Sequence, residues 1–165
     1  HQLRDEQARS IRTHLRTSFI LAGGDAVRGR SLFYGKRTLC SACHRAGPDD
    51  KAEIGPDLRR IGAVRSPRDL LEAILLPSAS FARGFEPKSV VLNSGRVISG
   101  VIRHETDDMI TLYTTERREL RIARSDIDEI VASKVSIMPH GLERLLTTDD
   151  MRDLLAFLGT LKHSK

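Results

Sequence analysis

Cys40-Ser41-Ala42-Cys43-His44 is the stretch that decides how this chain is read. Two thiols stand three positions apart, and an imidazole follows at once. On one turn of helix that order lets the two sulfurs bond the two vinyl groups of a porphyrin while the adjacent ring reaches its iron, which is the attachment signature of c-type haem. A haem held in this way cannot dissociate, and the protein tunes the iron through its second axial ligand, its hydrogen bonding and its burial. Two other chemistries use the same residue types. A zinc knuckle needs further ligands at similar spacing, but these are the only two cysteines, and His1, His14, His104, His140 and His163 are scattered singly. A redox dithiol of the thioredoxin kind wants a strand-to-helix start within alternating β and α segments, and the surrounding sequence lacks that alternation.

Working outward, the 165 residues suffice for one ordinary domain or two small ones. No apolar run approaches the roughly 20 residues of a membrane span. Aromatic residues make up only 4% and Trp is absent, so a buried porphyrin would supply apolar mass that the side chains do not. The formal charge is +5, and 21 of the 27 basic residues are Arg. Guanidinium groups pair with carboxylates in bidentate fashion, which suits haem propionates or an acidic redox partner as well as a solvated surface. No basic cluster interleaved with aromatics points to nucleic acid. The chain opens at His1 without a secretory leader, so a mature chain or a piece of a longer exported protein is expected.

The local pattern divides the rest. Apolar residues at irregular helical spacing predict a helix over 3–21, ended by Gly23-Gly24. Asp25 is a good N-cap for a second helix over 26–35, and Ser66-Pro67 starts a third whose stripe is Leu70, Leu71, Ile74 and Leu75. After Phe85 the period changes to alternation. Segments 88–92, 96–104, 109–114, 119–123 and 127–131 read as five strands of an antiparallel meander, similar to small Sm-like or SH3-like barrels. Thr147 to Asp150 then cap a last helix bearing Met151, Leu154, Leu155, Phe157, Leu158 and Leu161.

Gly24-Asp25-Ala26, Gly29-Arg30 and Leu32-Phe33, then Cys40 to His44, then Gly55-Pro56-Asp57-Leu58, resemble the opening of a class I cytochrome c. With Pro77-Ser78-Ala79, Gly95-Arg96-Val97-Ile98-Ser99-Gly100 and Ser136-Ile137-Met138-Pro139-His140-Gly141-Leu142, the order resembles the haem-binding modules of planctomycete and verrucomicrobial proteins. The resemblance spans about Gly24 to Leu161. It implies a mainly α class, a cytochrome c helical fold carrying a small antiparallel β insertion. Residues 1–23 would be a linker helix, 24–84 and 133–165 the haem domain, and 85–132 the insertion. It further implies one covalent haem c on Cys40 and Cys43, His44 as proximal ligand, the Pro56 carbonyl accepting the His44 Nδ1 proton, and Leu58 packed on the porphyrin.

The resemblance also implies a sixth ligand from a Met loop ahead of the last helix, and three methionines compete. Alternation points Met109 toward the core of the meander, and Met151 sits where packing is usual. Met138 lies in an irregular loop stiffened by Pro139, which favours it as the axial thioether. His140, two residues on, is the rival ligand and would lower the potential. Arg59, Arg60 and Arg65 are candidates for the propionates. The implied function is single-electron transfer with a partner protein or fused dehydrogenase, without bond chemistry of its own, in a periplasmic or otherwise exported setting. The alternatives are a five-coordinate haem enzyme or gas-binding site, and a partner-binding module built on the β insertion with a structural haem.

Overall fold

The computed structural model describes residues 21–163. The helix expected over 3–21 lies, but for Leu21, outside the described residues. Four α-helices and five strands follow in the order α1 (Ala26–Tyr34), α2 (Ile61–Val64), α3 (Pro67–Leu75), β1 (Lys88–Leu92), β2 (Val97–Glu105), β3 (Met109–Thr114), β4 (Glu119–Ala123), β5 (Ile127–Ala132) and α4 (Thr148–Thr160). The chain divides into two compact units. Residues up to 53, 57–76 and 140 onward form the first; 54–56 and 77–139 form the second.

The mainly α class is overturned. The described residues form a five-strand antiparallel sheet and four α-helices. The helices are short, with 9, 4, 9 and 13 residues, so the strands carry comparable weight and the class is mixed α and β.

In the first unit the helix starts follow local chemistry. The Asp25 carboxylate accepts from the amides of Val27 and Arg28. Ser66 before Pro67 and Thr147 before α4 each close a capping box with an Asp three residues on, which satisfies amides that the first turn leaves without partners. The core gathers Phe33 of α1, Leu71 and Leu75 of α3, and Met151, Leu154, Leu155 and Leu158 of α4, all nearly inaccessible. Phe33 and Phe157 meet with ring centroids 5.5 Å apart. Helices α1 and α4 cross so closely at Gly29 that a Cβ there would fall 1.9 Å from the Asp153 carbonyl oxygen. Arg28 then locks the crossing, since its Nε and Nη2 donate to the two Asp153 oxygens at 2.6 and 3.1 Å.

In the second unit the strands pair in the order β4-β3-β2-β1-β5, every neighbour antiparallel. Alternation sends Val90, Ile110, Leu112 and Ile122 to one core, with Ile98, Ile102, Leu120 and Ile130 packed against it. Gly95 and Arg117 take the positive φ angles that their turns demand. Among the described residues no helix is long and apolar enough to cross a membrane.

Candidate functional site

Helix α1 ends at Tyr34, and the chain must turn sharply to bring the two cysteines into line. Leu39 makes that turn in the left-handed region, with φ 54° and ψ 28°. This costs a non-glycine residue about 1–2 kcal/mol. Its amide donates to the Gly35 carbonyl at 3.2 Å. A 3-10 turn, Cys40–Ala42, follows, and the amides of Cys43 and His44 both donate to the Cys40 carbonyl, at 3.1 and 2.9 Å. Both thiols and the imidazole therefore hang on one turn, with the two sulfurs unbridged.

The segment after His44 is held by Asp50. Its Oδ2 accepts from the amides of Ala46 and Gly47 and from the Tyr34 hydroxyl, each at 2.8 Å. Burial opposes the charge on Asp50, but those donors outweigh it and hold the carboxyl below its usual range. Burial, aided by the bond to Asp50, pushes the Tyr34 phenol up to about 12. A short span of backbone beside His44 is thus tied to α1 through one carboxylate.

Of the residues expected at the site, Cys40, Cys43, His44 and Leu58 fall in the first unit, and Pro56 and Met138 in the second. Leu58 is brought to the motif, since its amide donates to the Arg45 carbonyl at 2.8 Å. Met138 lies half-buried in an irregular loop. The Met138 amide donates to Ser136 Oγ at 3.1 Å, and the Ser136 amide donates to Ser78 Oγ at 3.0 Å. His140 is exposed. Met151 is fully buried, as packing requires, whereas Met109 is 39% exposed. The expectation for Met109 is corrected: in β3 the inward positions are Ile110, Leu112 and Thr114, so Met109 lies on the opposite face.

Arg59 is already committed, because its fork grips Asp57 through Nε at 3.0 and Nη2 at 2.7 Å. Arg45 was not foreseen. Its Nε is buried without a hydrogen-bond partner, directly after His44, and such a donor suits a propionate carboxylate. Thr38, Tyr34, Asp50, Ser78 and Ser136 were also missed as supports; each is a single polar residue with no periodic signal around it.

The donor set fits a c-type haem. It offers two unbridged thiols and an adjacent imidazole on one turn, and a buried guanidinium nitrogen next to them. It fits the two competing chemistries less well. Burial raises the Cys40 thiol, against a hydrogen bond with Thr38 that lowers it, whereas a redox dithiol activates its nucleophile by lowering it. Among the described residues, no group of three or more His, Cys, Asp or Glu side chains is gathered as zinc requires. No protein-family model matches the chain, and no match is found among curated proteins.

Proposed function

We propose that this chain is a c-type cytochrome module that carries one covalent haem and passes single electrons to and from a partner protein or a fused dehydrogenase. The observation that carries the reading is the Cys40–Ala42 turn, which gathers both unbridged thiols and His44 and is closed by the Cys43 and His44 amides donating to the Cys40 carbonyl.

When bound, the haem supplies a one-electron couple at its iron. Cys40 and Cys43 hold it covalently, which removes dissociation as a route of loss. His44 would ligate its iron, and a hydrogen bond to the other ring nitrogen, the part that the resemblance gives to the Pro56 carbonyl, would fix which nitrogen faces the metal. Leu58 would pack on the porphyrin, and the buried Arg45 Nε would pair with a propionate. Met138, whose amide donates to Ser136 Oγ while the Ser136 amide donates to Ser78 Oγ, would supply a thioether to the iron. Thioether ligation at that position raises the potential relative to a second imidazole, so Met138 rather than His140 suits a high-potential acceptor.

A test begins with protein exported and matured by a haem-attachment system. Haem should stay with the chain through denaturation and acid extraction, and Cys40→Ser combined with Cys43→Ser should remove it. The oxidised protein should display the weak red band of iron-thioether ligation, absent in Met138→Ala. A chain that takes no covalent haem would sink the reading. High-spin iron that binds carbon monoxide readily when reduced would instead point to an open-site haem protein.

A further inference from the structure

Backbone hydrogen bonds bracket His44 on both sides. Before it, its own amide donates to the Cys40 carbonyl at 2.9 Å and closes the motif turn. After it, the peptide that joins Arg45 to Ala46 is held at both polar ends. The Arg45 carbonyl accepts the Leu58 amide at 2.8 Å, and the Ala46 amide donates to Asp50 Oδ2 at 2.8 Å. A peptide unit is planar, so bonds at both ends fix its plane and leave the backbone between it and the turn few ways to rotate. Asp50 is anchored in its turn, because the Tyr34 hydroxyl donates to the same Oδ2 at 2.8 Å. Behind that hydroxyl the Tyr34 ring packs edge-on to Phe33 and Phe157, with centroids 5.1 and 6.4 Å away, and the Arg30 guanidinium lies 4.8 Å from its centre. Gly47 makes the close approach possible: a Cβ there would fall 3.2 Å from Tyr34 Oη and 3.6 Å from both Asp50 oxygens. A run of contacts thus leads from α1 and α4, through Tyr34 and Asp50, to the backbone just beyond His44.

We propose that Asp50 is a positioning residue for His44: by tying the peptide between Arg45 and Ala46 to Tyr34, it sets the direction in which the imidazole leaves the motif turn. What that direction serves rests on the cytochrome reading above; the bracketing of His44 does not. The rotamers open to a side chain depend on its backbone φ and ψ, so a backbone held on both sides narrows the choice at His44. A ring already set in one direction gives up less freedom when it binds a metal than one that turns among several.

The test uses the isotope-labelled full-length chain without haem. Three-bond couplings from the His44 nitrogen and carbonyl carbon to its ring carbon report the χ1 rotamer. In wild type they should take the extreme values of a single rotamer. Asp50→Ala should lose those values and approach the rotamer average. Asp50→Asn keeps an oxygen that can accept both amides, and should restore most of the wild-type pattern. Tyr34→Phe leaves Asp50 its two amides but unties it from α1, and should fall between. Only variants whose Leu71 and Leu155 methyl signals stay at their wild-type positions are compared, which removes misfolded protein; if Asp50→Ala does not fold, Tyr34→Phe decides. Wild-type couplings in every folded variant, or an averaged ring in wild type, would overturn the proposal.

A second measurement loads the same chains with haem through the attachment system and records the electron paramagnetic resonance of the oxidised iron, whose principal g values depend on the orientation of the imidazole plane. They should shift or broaden in Asp50→Ala and return in Asp50→Asn, with both thioethers intact in each. Unshifted g values in Asp50→Ala overturn the positioning and leave the cytochrome reading in place. Couplings that respond in a chain that never takes covalent haem leave the positioning standing and remove the cytochrome reading instead.

Discussion

Asp50 makes the strongest single-residue prediction, because one oxygen serves three donors. Asp50→Ala strands the amides of Ala46 and Gly47 and the Tyr34 hydroxyl together, and should cost about 2 kcal/mol in a denaturant titration. Tyr34→Phe removes one bond and leaves Asp50 its two amides, so about 1 kcal/mol is expected. Equal losses in the two variants would mean that the phenol, rather than the loop, carries the effect. Gly29 tests the helix crossing. A Cβ there would meet the backbone of α4 at 1.9 Å, and backbone cannot swing aside as a side chain can. Gly29→Ala should therefore destabilise by about 3 kcal/mol, although alanine favours helix over glycine in isolation.

At the scale of elements, the loop that carries Met138 is the part whose support is least local. Ser78 stands 58 residues from Ser136 in sequence, yet its Oγ accepts the Ser136 amide, and Ser136 in turn accepts the Met138 amide. Ser78→Ala should cost about 1 kcal/mol and, in haem-loaded protein, weaken the red thioether band while leaving the attached haem in place. An unaltered band would mean that the loop holds Met138 without Ser78. The same contrast of local and non-local signals explains what the sequence made legible. Strands β1 to β5 were readable because each alternates and ends in turn residues such as Asn93-Ser94-Gly95, and the starts of α1, α3 and α4 because Asp25, Ser66 and Thr147 cap amides within three residues. That Cys40, Cys43 and His44 share one turn was readable from their spacing. Helix α2 at Ile61–Val64 was not, being one turn long with no side-chain cap. Thr38 and Ser78 bond backbone 6 and 58 residues away, and Asp50 adds to its two nearby amides the Tyr34 hydroxyl 16 residues back, none of which periodicity can register. The mainly α expectation failed because a family resemblance set the class, whereas the residue pattern had already laid out five strands.

For the molecule as a whole, the two units should answer acid differently. In the first unit Asp153 is 4% exposed, with its carboxylate gripped by Arg28 and also accepting the Asp25 amide at 2.7 Å. The bond from Arg28, against opposing burial, holds it below the ordinary range. At Asp150 burial is likewise opposed and outweighed, by the Thr147 amide and hydroxyl and by Arg37, and Asp50 is lowered as described. A carboxylate with a depressed folded pKa contributes stability that is whole above its unfolded value, about 4, and is lost as pH falls through the lower folded value. In the second unit the lowered carboxylates are Glu116, beside Thr114 and hydrogen-bonded to Thr115, and Glu119, hydrogen-bonded to Tyr113 and Arg121; both lie at the surface, where solvent screening leaves little of the effect. Its core of Val90, Ile110, Leu112 and Ile122 has no charge to lose. Hydrogen exchange followed from neutral pH down through about pH 3, with rates corrected for intrinsic pH dependence, should thus lose protection first across α1 and α4, while β1 to β3 hold to lower pH. Simultaneous loss in both units would place the acid sensitivity outside Asp50, Asp150 and Asp153. Asp153→Asn separates the cases further: it removes one of the three carboxylates, so the first unit should be less stable at neutral pH and its decline in acid correspondingly shallower.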